Sequence, residues 1–188
     1  MKQLLREKHL RKRKQLREGE VKRKSRAICE KLVSCPEFKR ARKLFFYHPA
    51  NNEADCLPAL KKALQLGKKV FLPRVKGKTL EAVEVKGIAE LKKLRKGAFG
   101  IPAPTGRAVE LSEIDLVVVP AIAFDSRGFR LGYGKGYYDS MLEKTRVEKI
   151  GLCYEQNLVE RLPAEKHDER VDKIITEKKV IKPVRVVF

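Results

Sequence analysis

Between positions 128 and 139 the chain reads Gly128-Phe129-Arg130-Leu131-Gly132-Tyr133-Gly134-Lys135-Gly136-Tyr137-Tyr138-Asp139. Glycine at this density lets a backbone approach a ligand closely and adopt positive-φ turns at little steric cost. Arg130 and Lys135 bring positive charge to the same segment, and Asp139 offers a carboxylate to a hard cation. The joint reading is a polyphosphate loop with a metal at its edge. Neither familiar template fits it. A Walker A loop needs G-x-x-x-x-G-K-[ST], but Gly128 and Gly134 stand one residue too far apart and Gly136 follows Lys135 where a hydroxyl is required. A dinucleotide fingerprint needs G-x-G-x-x-G, whereas Gly132, Gly134 and Gly136 run G-x-G-x-G. The physics common to both remains, because amides near a helix start together with a cation make an anion site. On these residues alone the loop is also a tight strand-to-helix turn with packing tyrosines.

The elements around the loop fix where it sits. Asp115-Leu116-Val117-Val118-Val119 is an apolar run of the kind buried on both sheet faces. Shorter strand signals occur at 43–47, 70–72 (ended by Pro73), 149–153, 174–175 and 184–188, and 79–85 alternates as an edge strand or hairpin arm would. Helices are expected over 2–17, with Leu4, Leu5, Leu10 and Leu16 as anchors and Gly19 as the break. A second follows with Val21, Ile28, Leu32 and Val33 at helical spacing, ended by Pro36. Asp55 caps a third through Leu66, with Gly67 as its stop, and a fourth runs from Tyr137 to Lys144. The segment 97–106 reads as an ordered loop. Strands alternating with helices predict a single α/β domain, a three-layer sandwich with a mostly parallel, Rossmann-like sheet. Ligands gather beyond the carboxyl ends of such strands, where the glycine loop begins.

At 188 residues and 43% hydrophobic content the chain can bury a core. Its formal net charge is +20. Residues 1–26 hold 12 Lys/Arg against 3 Asp/Glu, so nearly half the excess lies in the first seventh of the chain. A basic surface attracts nucleic acid, phosphates and polycarboxylates without choosing among them. Abundant Lys and Glu with few Gln is also a thermophile surface. Cys29, Cys35, Cys56 and Cys153 form no C-x-x-C pair, so reduced, buried thiols are expected. With no apolar run of membrane length and no signal-peptide core, a cytoplasmic protein is expected.

The glycine loop, preceded by Val119-Pro120-Ala121-Ile122-Ala123-Phe124-Asp125, resembles the signature of the 5-formyltetrahydrofolate cyclo-ligase family, also called 5,10-methenyltetrahydrofolate synthetases. Further blocks carry the resemblance along the chain. Lys2 and Arg6 match a Lys and an Arg four apart on the family's first helix, and Tyr47 and Glu53 match a Tyr followed six residues later by Glu. Leu162-Pro163-Ala164-Glu165-Lys166-His167-Asp168 and Val171-Asp172-Lys173-Ile174-Ile175-Thr176-Glu177 resemble its closing motif. Ser140 departs from the Arg that often follows the loop's Asp, which puts one phosphate or packing contact in doubt.

The resemblance implies ATP- and Mg2+-dependent conversion of 5-formyltetrahydrofolate to 5,10-methenyltetrahydrofolate, with ADP and phosphate released. It assigns 1–188 to one cyclo-ligase domain, with residues 1–18 a basic helix contributing to the ATP site. Lys2, Arg6 and the loop residues Arg130, Leu131, Gly132, Tyr133, Gly134, Lys135, Gly136, Tyr137 and Tyr138 would bind ATP. Arg130 and Lys135 would act catalytically by offsetting charge on the transferred group. His48, Glu53, Tyr133, Gly134, Lys135, Gly136 and Tyr137 would line the folate side, with Glu53 accepting from pterin N–H groups. Asp139 and Asp168 would hold Mg2+. His167 beside Asp168 is read as a bystander. The expected partners are these small molecules, with no membrane, no specific nucleic acid and a monomeric state.

Two other classes remain open on the residues. One is a basic nucleic-acid-binding protein led by the N-terminal helix, although no aromatics interleave with its cations. The other is a sugar-phosphate or acyl-transfer enzyme of similar fold whose loop binds phosphate without cleaving ATP.

Overall fold

Leu116, Val117, Val118 and Val119 are all fully buried, and they divide between two hydrophobic clusters on opposite sheet faces. The same division separates Leu44 and Phe46 from Phe45, and Val70 and Leu72 from Phe71. Side chains alternate along a strand, so a run buried throughout needs cover on both faces. That requirement sets the layers.

The computed structural model describes residues 1–143, 145–165 and 167–183. The chain opens with helices α1 (Lys2–Lys14), α2 (Glu18–Ser34) and α3 (Pro36–Arg40), then β1 (Lys43–Phe45) and α4 (Leu57–Gln65). The hairpin β2 (Lys69–Lys76) and β3 (Thr79–Val85) follows, then α5 (Ile88–Leu91), β4 (Arg95–Lys96), β5 (Pro102–Ala103) and β6 (Ala108–Val109). The second half holds β7 (Leu116–Pro120), β8 (Ala123–Asp125), β9 (Arg130–Leu131), α6 (Tyr137–Leu142) and β10 (Glu148–Leu152). It ends with β11 (Leu158–Val159), β12 (Lys173–Ile175) and β13 (Val180–Ile181).

The main sheet has eight strands in the order β13-β12-β10-β7-β1-β2-β3-β6. From β12 to β2 every pairing is parallel, and β13, β3 and β6 add antiparallel margins. Ile28 and Leu32 of α2 and Leu60 and Ala63 of α4 cover one face, while Met141 and Leu142 of α6 and Phe124 of β8 cover the other. A Cβ on Gly151 of β10 would stand 2.4 Å from the Phe124 ring, so glycine here lets that ring lie directly on the sheet. This is the expected mostly parallel α/β sandwich. No helix among the described residues is long and apolar enough to cross a membrane. All four cysteines are free and buried.

Several boundaries differ from the sequence expectation. Gly19 does not break the first helix: α1 stops at Lys14, and Gly19 lies in the first turn of α2. Arg17 begins that turn, its N–H donating to Glu20 Oε2 at 3.2 Å, and the Asn52 side chain reaches the Arg13 and Leu16 carbonyls at the end of α1. Pro73 does not end its strand either. It pairs opposite Ala82 within β2, where β1 has already stopped at Phe45 and the missing N–H leaves no partner stranded. β3 is a hairpin arm as expected but not the edge, since β6 lies beyond it. The loop over 97–106 contains one arm of the small β4–β5 hairpin. Lys144, Lys166 and the terminal piece 184–188 lie outside the described residues.

Candidate active site

The parallel neighbours β2, β1 and β7 end side by side, and beyond their carboxyl ends lies a cavity of about 610 Å³. Pro73 and Val75 wall it from β2, Tyr47 and His48 from the exit of β1, and Pro120 and Ala121 from β7. Three further segments close round it: the start of α1, the glycine loop, and residues 98–103 of the β4–β5 connection. Open α/β sheets bind ligands in this position.

A buried carboxylate shapes the loop's approach. Asp125 is fully buried at the end of β8. Its Oδ1 accepts the Arg127 and Phe129 amides at 3.0 Å each, and its Oδ2 accepts the Leu162 amide at 2.9 Å and the Arg127 guanidinium at 2.7 Å. These bonds fix the turn from β8 into β9, so residues 132–136 leave β9 aimed across the cavity before α6 begins.

At one end of the cavity charges gather from distant parts of the chain. Lys2 Nζ lies 2.7 Å from Glu165 Oε1 and 2.9 Å from Asp168 Oδ2. Burial alone would lower the Lys2 pKa and raise that of Asp168, but the pairing reverses both, raising the ammonium and lowering the carboxyl. Arg6, one turn on, donates through Nε to Gly132 O at 2.9 Å. The Arg130 side chain is buried on β9 with its guanidinium over the Tyr138 ring and Nη2 2.7 Å from Asp139 Oδ1. Burial pushes its pKa down, against the pull of Asp139. Nevertheless Arg130 Nε and the Tyr138 hydroxyl are buried without a hydrogen-bond partner. Buried polar groups are normally satisfied, and an anion in the cavity would satisfy these.

The other end is built round Glu53. The residue is only 7% exposed, with Oε2 accepting the Ala50 amide at 3.0 Å and Oε1 accepting the Tyr133 hydroxyl at 3.2 Å. Burial raises its pKa, while Arg13 and these two bonds act in the opposite direction. His48 is half-buried, Nδ1 has no partner, and burial lowers its pKa. Between the two ends, Lys135 Nζ stands 6.0 Å from the Phe99 ring centroid and Tyr137 packs 6.2 Å from the same ring.

All of the site residues expected from the sequence line this one cavity: Lys2, Arg6, His48, Glu53, the run 130–139, and Asp168. Leu131 does so from the floor, its side chain packed against Ile122, Ala123 and Leu162. His167 is exposed, 3.5 Å from Glu165. Sequence reasoning missed two residues. Phe99 is 66% exposed at the cavity with φ +57, a conformation costly for an aromatic residue; its only signal was a lone aromatic between Gly97 and Gly100. Arg13 is buried behind Tyr133 and was indistinguishable among twelve N-terminal cations.

A family model described as the 5-formyltetrahydrofolate cyclo-ligase family matches residues 1–177. The chain is 28% identical over 177 residues to a probable 5-formyltetrahydrofolate cyclo-ligase of Schizosaccharomyces pombe, covering 84% of this chain and 86% of that protein. It is 31% identical over 149 residues to the 5-formyltetrahydrofolate cyclo-ligase of Mycolicibacterium smegmatis, covering 74% of this chain and 75% of that protein. Among solved structures it resembles the 5,10-methenyltetrahydrofolate synthetase of Aquifex aeolicus, with TM-score 0.87 and 38% identity over 100% of this chain and 96% of the other. The fold is shared with a 5,10-methenyltetrahydrofolate synthetase from Mycoplasma pneumoniae, with TM-score 0.77 and 24% identity over 94% of this chain and 98% of the other.

Proposed function

Because the chain belongs to the 5-formyltetrahydrofolate cyclo-ligase family, we propose that it cyclises 5-formyltetrahydrofolate to 5,10-methenyltetrahydrofolate at the expense of ATP, with Mg2+. One observation carries this reading. Two cations of α1, the glycine loop, Glu53, Asp139 and Asp168, far apart in sequence, all line one cavity.

The chemistry explains why ATP is needed. An amide oxygen is a poor leaving group, so the formyl oxygen is phosphorylated by the γ-phosphate and ADP departs. N10 then attacks the activated carbon, closing the ring and giving up its proton, and departure of phosphate leaves the 5,10-methenyl cation. No enzyme nucleophile is required, and the protein contributes mainly position and charge. In this reading Lys2, Arg6 and Arg130 hold the triphosphate, the anion giving Arg130 Nε and the Tyr138 hydroxyl the partner they lack. Lys135, exposed on the loop, offsets charge on the transferred group. Glu53 takes the pterin N–H groups, and Tyr133, Tyr137 and His48 border the folate.

Asp139 and Asp168 suit Mg2+. They sit at the rim of the cavity, part-exposed, with cations already beside them. No group of three or more metal-ligating side chains occurs among the described residues. Two carboxylates fit an ion that keeps several waters and takes phosphate oxygens, and not one caged by protein. When bound, the ion would neutralise charge on the triphosphate.

The first helix is not a free arm. Leu5 and Leu10 pack on the Ile122–Leu131–Leu162 cluster and Arg13 is buried, which supports a role at the cavity over a role as a nucleic-acid clamp. An isotope experiment tests the mechanism. With 18O in the formyl group, the label is expected in the released phosphate; label retained in the folate or lost to water would refute phosphorylation at that oxygen.

A further inference from the structure

Arg13 does not line the cavity, yet it is 2% exposed and makes three hydrogen bonds. Nε donates to Asn51 O at 2.8 Å, Nη1 to Ala121 O at 3.0 Å, and Nη2 to the Tyr133 hydroxyl. That hydroxyl passes its own proton toward Glu53 Oε1 at 3.2 Å. Guanidinium, phenol and carboxylate therefore form one directed chain, in which each bond polarises the next. Asn51 accepts from Arg13 while holding φ +49, so the turn that carries Glu53 is itself tied to α1.

A carboxylate this deep tends to its neutral form when no cation is near. Only the ionised form leaves both oxygens free to accept N–H donors. Arg13 is the one cation among the described residues acting on Glu53. The other titratable groups that feel Glu53 are Tyr47, Cys56, Tyr133 and Tyr138, all pushed by burial toward their neutral forms. Tyr154 reaches only the Glu53 backbone carbonyl, at 3.0 Å.

We infer that Arg13 is a positioning residue for the folate end of the site: through the Tyr133 hydroxyl it holds Glu53 in the orientation and the ionised form that accept two ring N–H donors. This rests on the folate-binding role proposed for Glu53. It also gives the exposed Tyr133 a task besides lining the pocket, that of relaying a buried charge.

The experiment compares wild type, Arg13→Met, Arg13→Lys and Tyr133→Phe. Glu53 is titrated by carbon NMR of labelled glutamate side chains, its signal assigned with Glu53→Gln, and steady-state kinetics are measured against pH. Losing Arg13 or the Tyr133 hydroxyl should move the Glu53 midpoint and the acid limb of kcat/KM to higher pH. KM for 5-formyltetrahydrofolate should rise ~10–100-fold, the scale of losing one charge-assisted bond, and in Arg13→Met, whose side chain does not line the cavity, KM for ATP should stay unchanged. Arg13→Lys should recover part of both effects. A mere brace between α1 and the Asn51 turn would lower thermal stability and leave the Glu53 midpoint where it was, which would overturn the inference. If Arg13→Met does not fold, Tyr133→Phe decides, since it breaks the relay at a residue 44% exposed; an unmoved midpoint there overturns it equally. Absence of turnover in wild type would sink the proposed function instead, while the titration still reads the Arg13–Glu53 coupling.

Discussion

Arg6 and Gly134 are in close approach although 128 positions separate them: a Cβ on Gly134 would stand 3.2 Å from the Arg6 guanidinium. Gly134 also holds φ +87, which an L side chain rarely adopts. Glycine here therefore lets the loop lie against the Arg6 guanidinium without backbone strain. Gly134→Ala is expected to lower kcat/KM for ATP by ~10-fold or more, the equivalent of the ~1–2 kcal/mol cost of a left-handed conformation. Kinetics with ATP varied check this, and wild-type values would mean that the loop is not held by α1.

Lys135 lies exposed beside Phe99 and makes no ion pair among the described residues, so its loss disturbs little structure. Lys135→Ala should leave the melting temperature within about a degree and cut kcat/KM by ~10²–10³, the scale of removing one transition-state contact. A large fall in stability with turnover preserved would make it a packing residue.

Asp139 and Asp168 are each neutralised by a cation, Arg130 and Lys2, without any metal. Chelating divalent ions is therefore expected to abolish turnover while leaving the melting curve of the free protein unchanged. Asp168→Asn should raise the Mg2+ concentration needed for half-maximal rate. A metal-independent rate would remove both carboxylates from the proposed role.

Far from the site, Glu37 and Lys173 form a buried ion pair linking α3 to β12. Burial would raise the Glu37 pKa, but Lys173 holds it down to about 2 from an ordinary 4.5. A depressed carboxyl stabilises the fold above its unfolded pKa and loses that contribution as pH falls from about 4.5 to about 2. Glu37→Gln leaves Lys173 buried without a counter-charge and should cost about 3 kcal/mol at neutral pH. Denaturant titrations across pH should show the gap between wild type and variant closing toward pH 2; a constant gap would exclude the ion pair as its cause.

Legibility followed the physics of each feature. The run Leu116–Val119 announced a strand buried on both faces because nothing else satisfies such a run. The glycine loop announced a close backbone approach, since four glycines in nine residues have little other use. Lys2, Arg6, Glu53 and Asp168 became legible only through resemblance, because a cation among cations or an acid in a loop has no local signature. Pro73 misled because proline forbids a central strand and not a strand with one flank free. Arg13 was invisible because its burial depends on Asn51, Ala121 and Tyr133, three positions that only the folded chain brings to one helix face.

In the proposed reaction this cavity couples ATP cleavage to ring closure of 5-formyltetrahydrofolate. Mixing the protein with that folate, ATP and Mg2+ and following methenyl absorbance tests it most directly. Methenyl formation that requires ATP is expected, with one phosphate released per ring closed. A folded protein that forms no methenyl product, or forms it equally well without ATP, would contradict it.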